Sequence, residues 1–171
     1  MRRERGPYRY RRMQMLEGVP DDAYRPGAKP RGPVHCPDCG AMFRKGRWSW
    51  SAAPEGAAKL RCPACRRVKE GSPAGYLSLS GGFFAAHRDE VLARVAHCEQ
   101  QEAKDHPLER VIAIDAAKDG VLVTTTSVHL ARRVAHALES SFKGTLNLSY
   151  NRQDNLLRVR WSRAASGTKE N

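Results

Sequence analysis

Cys36-Pro37-Asp38-Cys39 and Cys62-Pro63-Ala64-Cys65 are the two stretches that decide the fold, and 22 residues separate them. The two residues inside each pair allow both thiolates to face one ion from a single tight turn. Two such turns supply the four sulfur ligands of a tetrahedral, closed metal site. We therefore predict one structural Zn²⁺ ion, with a ligand set made of Cys36, Cys39, Cys62 and Cys65.

Two other chemistries use the same cysteine spacing. A rubredoxin-like iron centre also has thiolate ligands, and a CxxC pair can serve as a dithiol redox couple. We favour zinc, because neither alternative accounts for two matching pairs without a βαβ pattern around them. The second turn is less regular than the first, since Arg66 stands where Gly40 closes the first turn.

The composition points to a polyanionic partner. The chain has 171 residues and a formal net charge of +12 at pH 7. Its Arg-rich start is not followed by the apolar run of a signal peptide, and no stretch approaches the roughly 20 apolar residues of a membrane span. We expect a soluble, cytoplasmic protein with no membrane partner, and paired cysteines that bind metal in a reducing compartment.

The sequence predicts an α+β fold in five segments. Residues 1–33 combine basic residues with prolines and lack apolar periodicity, which predicts a disordered basic tail. Residues 34–70 are predicted to form the four-cysteine zinc ribbon, and residues 71–107 a linker and a connecting amphipathic helix. Residues 108–163 are predicted to form a small β-β-α-β-β domain, and residues 164–171 a disordered C-terminal tail.

Hydrophobic periodicity places the elements of the β-β-α-β-β domain. The predicted elements are strands at 111–115 and 121–124, a helix at 128–142, and strands at 145–150 and 156–161. In the last strand, Leu157, Val159 and Trp161 alternate with Arg158 and Arg160. Apolar residues therefore lie on one face of the predicted sheet and arginines on the other, which makes the outer face basic.

Several basic and aromatic residues are candidates for contact with nucleic acid. Trp48 and Trp50 could stack on bases or form the small core of the ribbon. Arg132 and Arg133 share a helix face that could lie along phosphates or be a solvated surface. The full set of candidates is Arg44, Lys45, Arg47, Trp48, Trp50, Lys59, Arg61, Arg66, Arg67, Arg132, Arg133, Arg158 and Arg160.

Other polar residues have a structural and a functional interpretation. Arg61, Arg66 and Arg67 could offset the net −2 charge of a zinc ion with four thiolates. Thr124–Ser127 could bind a phosphate at a helix N-terminus, but a helix cap is the interpretation we favour. His35 could in principle replace a thiolate, although four cysteines already complete the ligand set. We predict that Cys98 is a buried helix residue rather than a catalytic thiol.

Enzyme motifs are missing from the sequence. It contains no phosphate loop, no HExxH zinc pair and no GxSxG elbow. His87-Arg88-Asp89 imitates part of a kinase catalytic loop but lacks the following Asn and a glycine-rich loop. We therefore predict no catalytic residues, no small-molecule substrate and no enzymatic activity.

The motifs together resemble a bacterial zinc-ribbon family whose ribbon is similar to that of a large-ribosomal-subunit export adapter, nonsense-mediated decay protein three. The stretches that carry the resemblance are 35–40, 46–48, 62–67, 87–90, 106–110 and 124–133. The resemblance covers about residues 34–161 and implies association with RNA or the ribosome. The chain is much shorter than that adapter, so functions that need the adapter's other domains do not carry over.

From the charge and the zinc ribbon, we predict a non-enzymatic RNA-binding protein in which the basic tail provides salt-sensitive affinity, and the family resemblance implies association with a ribosomal subunit. The alternative is a zinc-ribbon adapter or regulator that acts on DNA or on a protein partner. The sequence carries no signal for the oligomeric state or for the identity of the RNA.

Overall fold

The computed structural model describes Tyr24 and residues 30–165. The fold class is α+β, as predicted, with four helices and two mixed sheets in this part of the chain. The two predicted tails lie outside the described residues, apart from Tyr24, residues 30–33 and residues 164–165. No helix within the described ranges is both long enough and apolar enough to cross a membrane.

The first structural unit, here called the ribbon module, spans residues 34–71. Its strands are β1 (Val34–His35), β2 (Met42–Arg44), β3 (Arg47–Ser49) and β4 (Ala58–Lys59), and its helix is α1 (Pro63–Glu70). The strand order is β3-β2-β1-β4, with β1 parallel to β4 and the other pairs antiparallel. Strands β2 and β3 form a hairpin between the two cysteine pairs.

The second unit, here called the sheet module, spans residues 74–163. It contains β5 (Gly75–Ser80), α2 (Gly82–Ala86), α3 (Arg88–Asp105), β6 (Val111–Ala117), β7 (Gly120–Thr125), α4 (Val128–Phe142), β8 (Thr145–Asn151) and β9 (Leu156–Ser162). The strand order is β6-β7-β5-β9-β8. Strands β5 and β9 are parallel, and the other neighbouring pairs are antiparallel.

The predicted β-β-α-β-β elements are all present, but that description of the sheet is incomplete. Residues 75–80, which we predicted as linker, form β5, the central strand of the five. The strand has only two inward apolar residues, Leu77 and Leu79, and lies between Pro73 and the Gly81-Gly82 pair. Such short alternation among Ser, Gly and Pro is typical of loops, so local pattern alone did not predict a strand.

Gly75 explains how β5 fits beneath a helix. A Cβ at this position would lie 2.4 Å from Thr125 Oγ1 and 2.5 Å from the Ala131 Cβ on α4. A side chain here would therefore push the helix away from the sheet. The glycine that made residues 75–80 look like a linker is a packing requirement of the central strand.

The helices cover one face of the sheet. Leu77, Val123, Val159 and Trp161 are buried against residues of α2, α3 and α4, which include the fully buried Val95. The predicted alternation of β9 is confirmed, because Leu157, Val159 and Trp161 are buried while Arg158 and Arg160 are exposed. The arginines thus lie on the face opposite the helices.

Candidate metal centre

The four predicted cysteines come together. Their sulfur atoms all lie within 4.8 Å of one another, and Cys39 Sγ is 3.8 Å from Cys62 Sγ. A tetrahedron with Zn–S bonds of about 2.3 Å has edges of roughly 3.8 Å. The cluster could therefore hold one metal ion, and its size and all-sulfur donor set fit a structural Zn²⁺.

The first cysteine pair lies on a tight turn between β1 and β2. The backbone N–H of Cys36 donates to the carbonyl of Ala41 (2.7 Å), and the N–H of Gly40 donates to the carbonyl of Cys36 (2.9 Å). Gly40 closes the turn with a φ of 79°, a left-handed conformation that glycine adopts without strain. These bonds direct both thiols to the same side of the turn.

The second pair has a different construction, because its turn continues as helix α1. Cys62 is the N-cap residue, Pro63 begins the helix, and the Cys65 N–H donates to Cys62 Sγ at 3.3 Å. Arg66 lies within the helix, so no left-handed residue is needed where Gly40 closes the first turn. The irregularity noted in the sequence is therefore a change from turn to helix, whose N-terminal end also favours negative charge on the thiolates.

Hydrogen bonds and burial shift the pKa values of the cluster thiols in opposite directions. Burial opposes ionisation of Cys36, but backbone N–H groups of Cys62, Cys39 and Asp38 outweigh it and lower the Cys36 thiol pKa to about 7. Burial raises the pKa values of Cys62 and Cys65, and the negative charge of neighbouring thiolates contributes at Cys62. A bound Zn²⁺ ion requires all four ligands in the thiolate form. Its positive charge would offset the cost of ionising the buried thiols of Cys62 and Cys65.

The guanidinium that contacts the cluster belongs to Arg110, which sequence reasoning did not identify. Its Nη1 donates to Cys65 Sγ (3.3 Å) and its Nη2 donates to Cys62 Sγ (3.5 Å). Arg110 Nε also donates to the Pro107 carbonyl (2.9 Å). Burial opposes the charge of Arg110, but the hydrogen bond to Cys65 and the negative charges of Cys65, Cys39 and Cys62 together outweigh burial and raise the guanidinium pKa.

Arg110 also joins the metal centre to the sheet module. Its backbone N–H donates to Thr126 Oγ1 (2.9 Å), immediately before β6 begins. Nearby, Leu108 packs on the small core of the ribbon module, which includes Phe43 and Trp48. The sequence named residues 106–110 only through a family resemblance, since nothing in their local pattern shows which cysteines they meet.

The three arginines predicted to offset the zinc charge have other contacts. Arg61 forms an ion pair with Asp38, whose carboxyl pKa is lowered by that hydrogen bond. Arg66 lies 4.0 Å from Glu70. Arg67 is buried, donates to the Ser72 carbonyl (2.9 Å) and lies over the Tyr24 ring. Arg61 and Arg67 thus help to shape the ribbon module. Asp38 raises the pKa of Arg61 most, and the negative charges of Cys36 and Cys65 add to this rise, so Arg61 also meets the field of the cluster. Arg110 contacts the sulfurs directly.

The remaining sulfur and imidazole groups lie outside the cluster. Among the described residues, the candidate ligand set comprises the four cysteines, without His35. Cys98 is buried on α3 within the core of the sheet module, as predicted, and burial raises its thiol pKa.

The two tryptophans of the ribbon module separate into different roles. Trp48 is 9% exposed and packs on Phe43, with 5.5 Å between ring centroids, which favours the core interpretation. Trp50 follows the end of β3, is 48% exposed, and donates from Nε1 to the Ala103 carbonyl at 2.5 Å. Trp50 therefore joins the hairpin to the end of α3 while leaving part of its ring accessible.

The predicted basic contacts do not form one surface. Arg44, Lys45, Arg47 and Lys59 are exposed on the ribbon module. Arg132 and Arg133 are on α4, where Arg133 Nε lies 3.0 Å from Glu102 Oε1 of α3. Arg158 and Arg160 lie on the opposite side of the sheet from α4. The candidates thus divide among the ribbon, the helical layer and the open sheet face.

The Thr124–Ser127 run has a structural role. Ser127 is the N-cap of α4 and accepts a hydrogen bond from the Leu130 N–H (2.9 Å), as we favoured. Thr126 Oγ1 donates to the Leu108 carbonyl (2.6 Å), and Thr125 Oγ1 donates to the Ser127 carbonyl (2.8 Å). The buried threonines therefore tie the loop around Leu108 to the start of α4.

No protein-family model matches this sequence, and no curated protein or solved structure matches it either. The sequence and the geometry therefore carry the assignment. They describe an α+β protein with a largely buried four-cysteine centre that could hold one metal ion and that is hydrogen-bonded to a second module through Arg110.

Proposed function

We propose that the protein is a non-enzymatic, cytoplasmic zinc-ribbon protein that binds RNA and associates with a ribosomal subunit. The observation that carries this proposal is the exposed basic turn of the metal-centred hairpin. Arg44, Lys45 and Arg47 surround the turn between β2 and β3, and all three are exposed. The whole chain is also basic, with a net charge of +12, which favours binding to a polyanion.

The proposed metal has a structural role. Four thiolates fill a tetrahedral shell, so no position remains open for a substrate or a catalytic water. The ion would connect the β1–β2 turn to the start of α1 and thereby position the basic hairpin. This closed donor set supports a binding function rather than metal-dependent catalysis.

Affinity in this proposal comes mainly from phosphate contacts. Each phosphate that a Lys or Arg neutralises releases condensed cations, so binding weakens steeply as salt rises. The resemblance of the ribbon to that of a ribosomal-subunit export adapter motivates the choice of ribosomal RNA as the polyanion. The proposal is for binding to the ribosomal particle, and it does not include export.

The test is sucrose-gradient sedimentation of a cell lysate at low and moderate salt, with and without ribonuclease. We expect the protein to sediment with one ribosomal subunit at low salt, to be partly released by salt, and to move to the top after ribonuclease. A position at the top of the gradient in every condition contradicts the proposal. Complexes that survive ribonuclease and deoxyribonuclease would instead favour a protein partner, and loss after deoxyribonuclease alone would favour DNA.

Zinc content is measured separately on the purified protein. Elemental analysis should give one zinc per chain, and iron at that stoichiometry would contradict the structural-zinc assignment. A variant with Arg44, Lys45 and Arg47 replaced by Gln should keep its zinc and lose sedimentation with the subunit. Because these side chains are exposed, the variant separates RNA binding from folding.

A further inference from the structure

The sheet module has a face that the described helices leave open. The side chains of Tyr76 and Ser78 on β5 alternate with Leu77 and Leu79, which are buried beneath the helices. Ser78, Arg158 and Arg160 are exposed, and Tyr76 is partly buried. The centre of this open face therefore combines an aromatic ring with two cations.

Strand register places these residues side by side. Tyr76 lies opposite Arg158, which lies opposite Ser149 on β8. Ser78 lies opposite Arg160, which lies opposite Asn147. Neighbouring strands are about 4.8 Å apart, and the two rows are about 7 Å apart along the strands. The residues form a compact surface, here called the open-face patch: Tyr76, Ser78, Asn147, Ser149, Arg158 and Arg160.

The ring of Tyr76 is already paired with a cation. The guanidinium carbon of Arg158 lies 5.7 Å from the centroid of the Tyr76 ring. A planar aromatic group on Tyr76 would thus lie beside a positive charge, with a second charge on Arg160 one row away. An aromatic platform beside arginines is the combination by which proteins bind the bases and phosphates of single strands.

We propose that the open-face patch binds single-stranded RNA, with one base stacked on Tyr76 and neighbouring phosphates held by Arg158 and Arg160. Asn147 and Ser149 supply hydrogen-bonding groups beside the arginines. This inference rests on the proposed function and gives it a second surface, on the side of the sheet away from α4. A single strand fits better than a duplex, because its unstacked bases can lie on an aromatic ring.

Charge also argues against occupation of the patch by the chain's own N-terminal segment. Residues 1–33 carry nine Lys or Arg residues and four Asp or Glu residues. Their net positive charge repels Arg158 and Arg160. On the open face the described acidic side chain nearest in register is Asp115, on the edge strand β6. A polyanion is therefore the complementary occupant.

The experiment measures fluorescence anisotropy of a labelled single-stranded RNA of about 12 nucleotides, a length within the site size of known single-strand binders. A blunt RNA duplex of the same sequence is the comparison, and the full-length protein is used throughout. Tyr76→Thr removes the ring but keeps a residue that favours strands, whereas Tyr76→Phe keeps the ring. We expect Tyr76→Thr to weaken binding about tenfold and Tyr76→Phe to bind within about twofold of the unaltered protein.

A charge-matched pair of double variants provides the second measurement. Arg158→Gln with Arg160→Gln should weaken single-strand binding and reduce the slope of log affinity against log salt by about 1.4, the value for two phosphate contacts. Arg88→Gln with Lys104→Gln removes two exposed positive charges from α3, on the helical side, and should leave that slope unchanged. The Arg158/Arg160 variant, compared with this control, keeps the proposal testable if Tyr76→Thr does not fold.

The outcomes distinguish this inference from the proposed function. If the unaltered protein binds single-stranded RNA but neither Tyr76→Thr nor the Arg158/Arg160 variant weakens binding, the open-face patch is excluded while the proposed function stands. Equal weakening by Tyr76→Phe and Tyr76→Thr excludes stacking, as does stronger binding to the duplex. If the unaltered protein binds no RNA, here or in the gradient, the proposed function fails as well.

Discussion

The ribbon module and the sheet module differ in what fills their interiors. The ribbon module buries a small set of apolar residues around its cysteines, including Ala41, Phe43 and Trp48. The sheet module buries a continuous layer of Leu, Val, Phe and Trp side chains between three helices and five strands. We therefore expect the first module to need a metal to fold, whereas the second can rely on hydrophobic burial.

The interface between the modules is polar as well as apolar. Arg110 connects the sulfur cluster to the start of β6, and the Trp50 side chain reaches the end of α3. The metal centre is therefore part of the junction, and loss of the ion should loosen the junction without dismantling the sheet. Five measurements test this comparison, beginning with the one for which we expect the largest effect.

Replacement of Cys62 by Ser should unfold the ribbon module. Cys62 is buried, accepts the N-cap hydrogen bond of α1 and is a member of the ligand cluster. Loss of metal-coupled folding costs on the order of 10 kcal/mol. Proton–nitrogen correlation spectra should lose the dispersed signals of residues 34–71 and keep those of residues 75–162. Collapse of both sets of signals would show that the sheet module cannot fold without the ribbon.

The corresponding test of the sheet module is Leu79→Ala in the central strand. Leu79 is fully buried beneath the helices, so the truncation should lower the free energy of unfolding of the sheet module by about 3 kcal/mol. Denaturant titration followed by circular dichroism measures this loss, and bound zinc should remain at one ion per chain. Loss of zinc in the same transition as unfolding of the sheet module would indicate that the modules fold as one unit.

Arg110→Gln tests the junction itself. Without the guanidinium, Cys62 and Cys65 lose their positive neighbour, and zinc affinity should fall about 10- to 100-fold. Competition with a chromophoric chelator measures the affinity. Arg66→Gln is the matched control, because Arg66 pairs with the exposed Glu70 and should leave zinc affinity nearly unchanged. Equal affinities of the two variants would remove Arg110 from the metal centre.

The reactivity of the thiols should show a smaller and more local effect. After zinc is removed by a chelator at pH 8, the four cluster cysteines should react rapidly with a disulfide reagent, while Cys98 reacts slowly. Burial raises the pKa of Cys98 and shields it, so both the thiolate fraction and the access are reduced. Rapid reaction of all five thiols would show that the sheet module opens when the metal leaves.

The sign of the pH effect at Cys98 follows from the same raised pKa. The folded state holds the thiol protonated above its ordinary pKa of 9.0, whereas the unfolded chain ionises there. Stability from this group is therefore complete below pH 9 and is lost as the pH rises further. The sheet-module transition should shift to lower denaturant between pH 8 and pH 10 by less in Cys98→Ala than in the unaltered chain.

Local sequence pattern was sufficient for several elements of the fold. Helix α4 runs over 128–142, as its apolar spacing and its N-cap Ser127 predicted. The alternation in β9 identified its buried and exposed faces. Each of these patterns is formed by residues only a few positions apart, and over that distance backbone geometry alone determines which face of the element a residue lies on.

Other features of the fold depend on contacts between residues far apart in the sequence, so local pattern could not predict them. The Gly75–Ser80 segment became a strand because β7 and β9 pair with its two edges, and its own residues were too few and too polar to predict this. The pairing also brings Tyr76 beside Arg158, although 82 positions separate them in the sequence. The strand propensity of residues 75–80 did not outweigh their loop-like composition, and burial of the segment against the helices is what makes it a strand.

The sequence by itself determined the metal-ligand candidates, because each CxxC turn brings two sulfurs together within four residues, and two such turns supply the four ligands of one closed site. Only the tertiary structure decided which cation meets those sulfurs. Arg110 lies 45 residues from Cys65 and reaches it because Thr126 and Leu108 hold the start of β6 against the ribbon. Ligand spacing is a local property of the backbone, whereas the charge around a site depends on how distant segments pack.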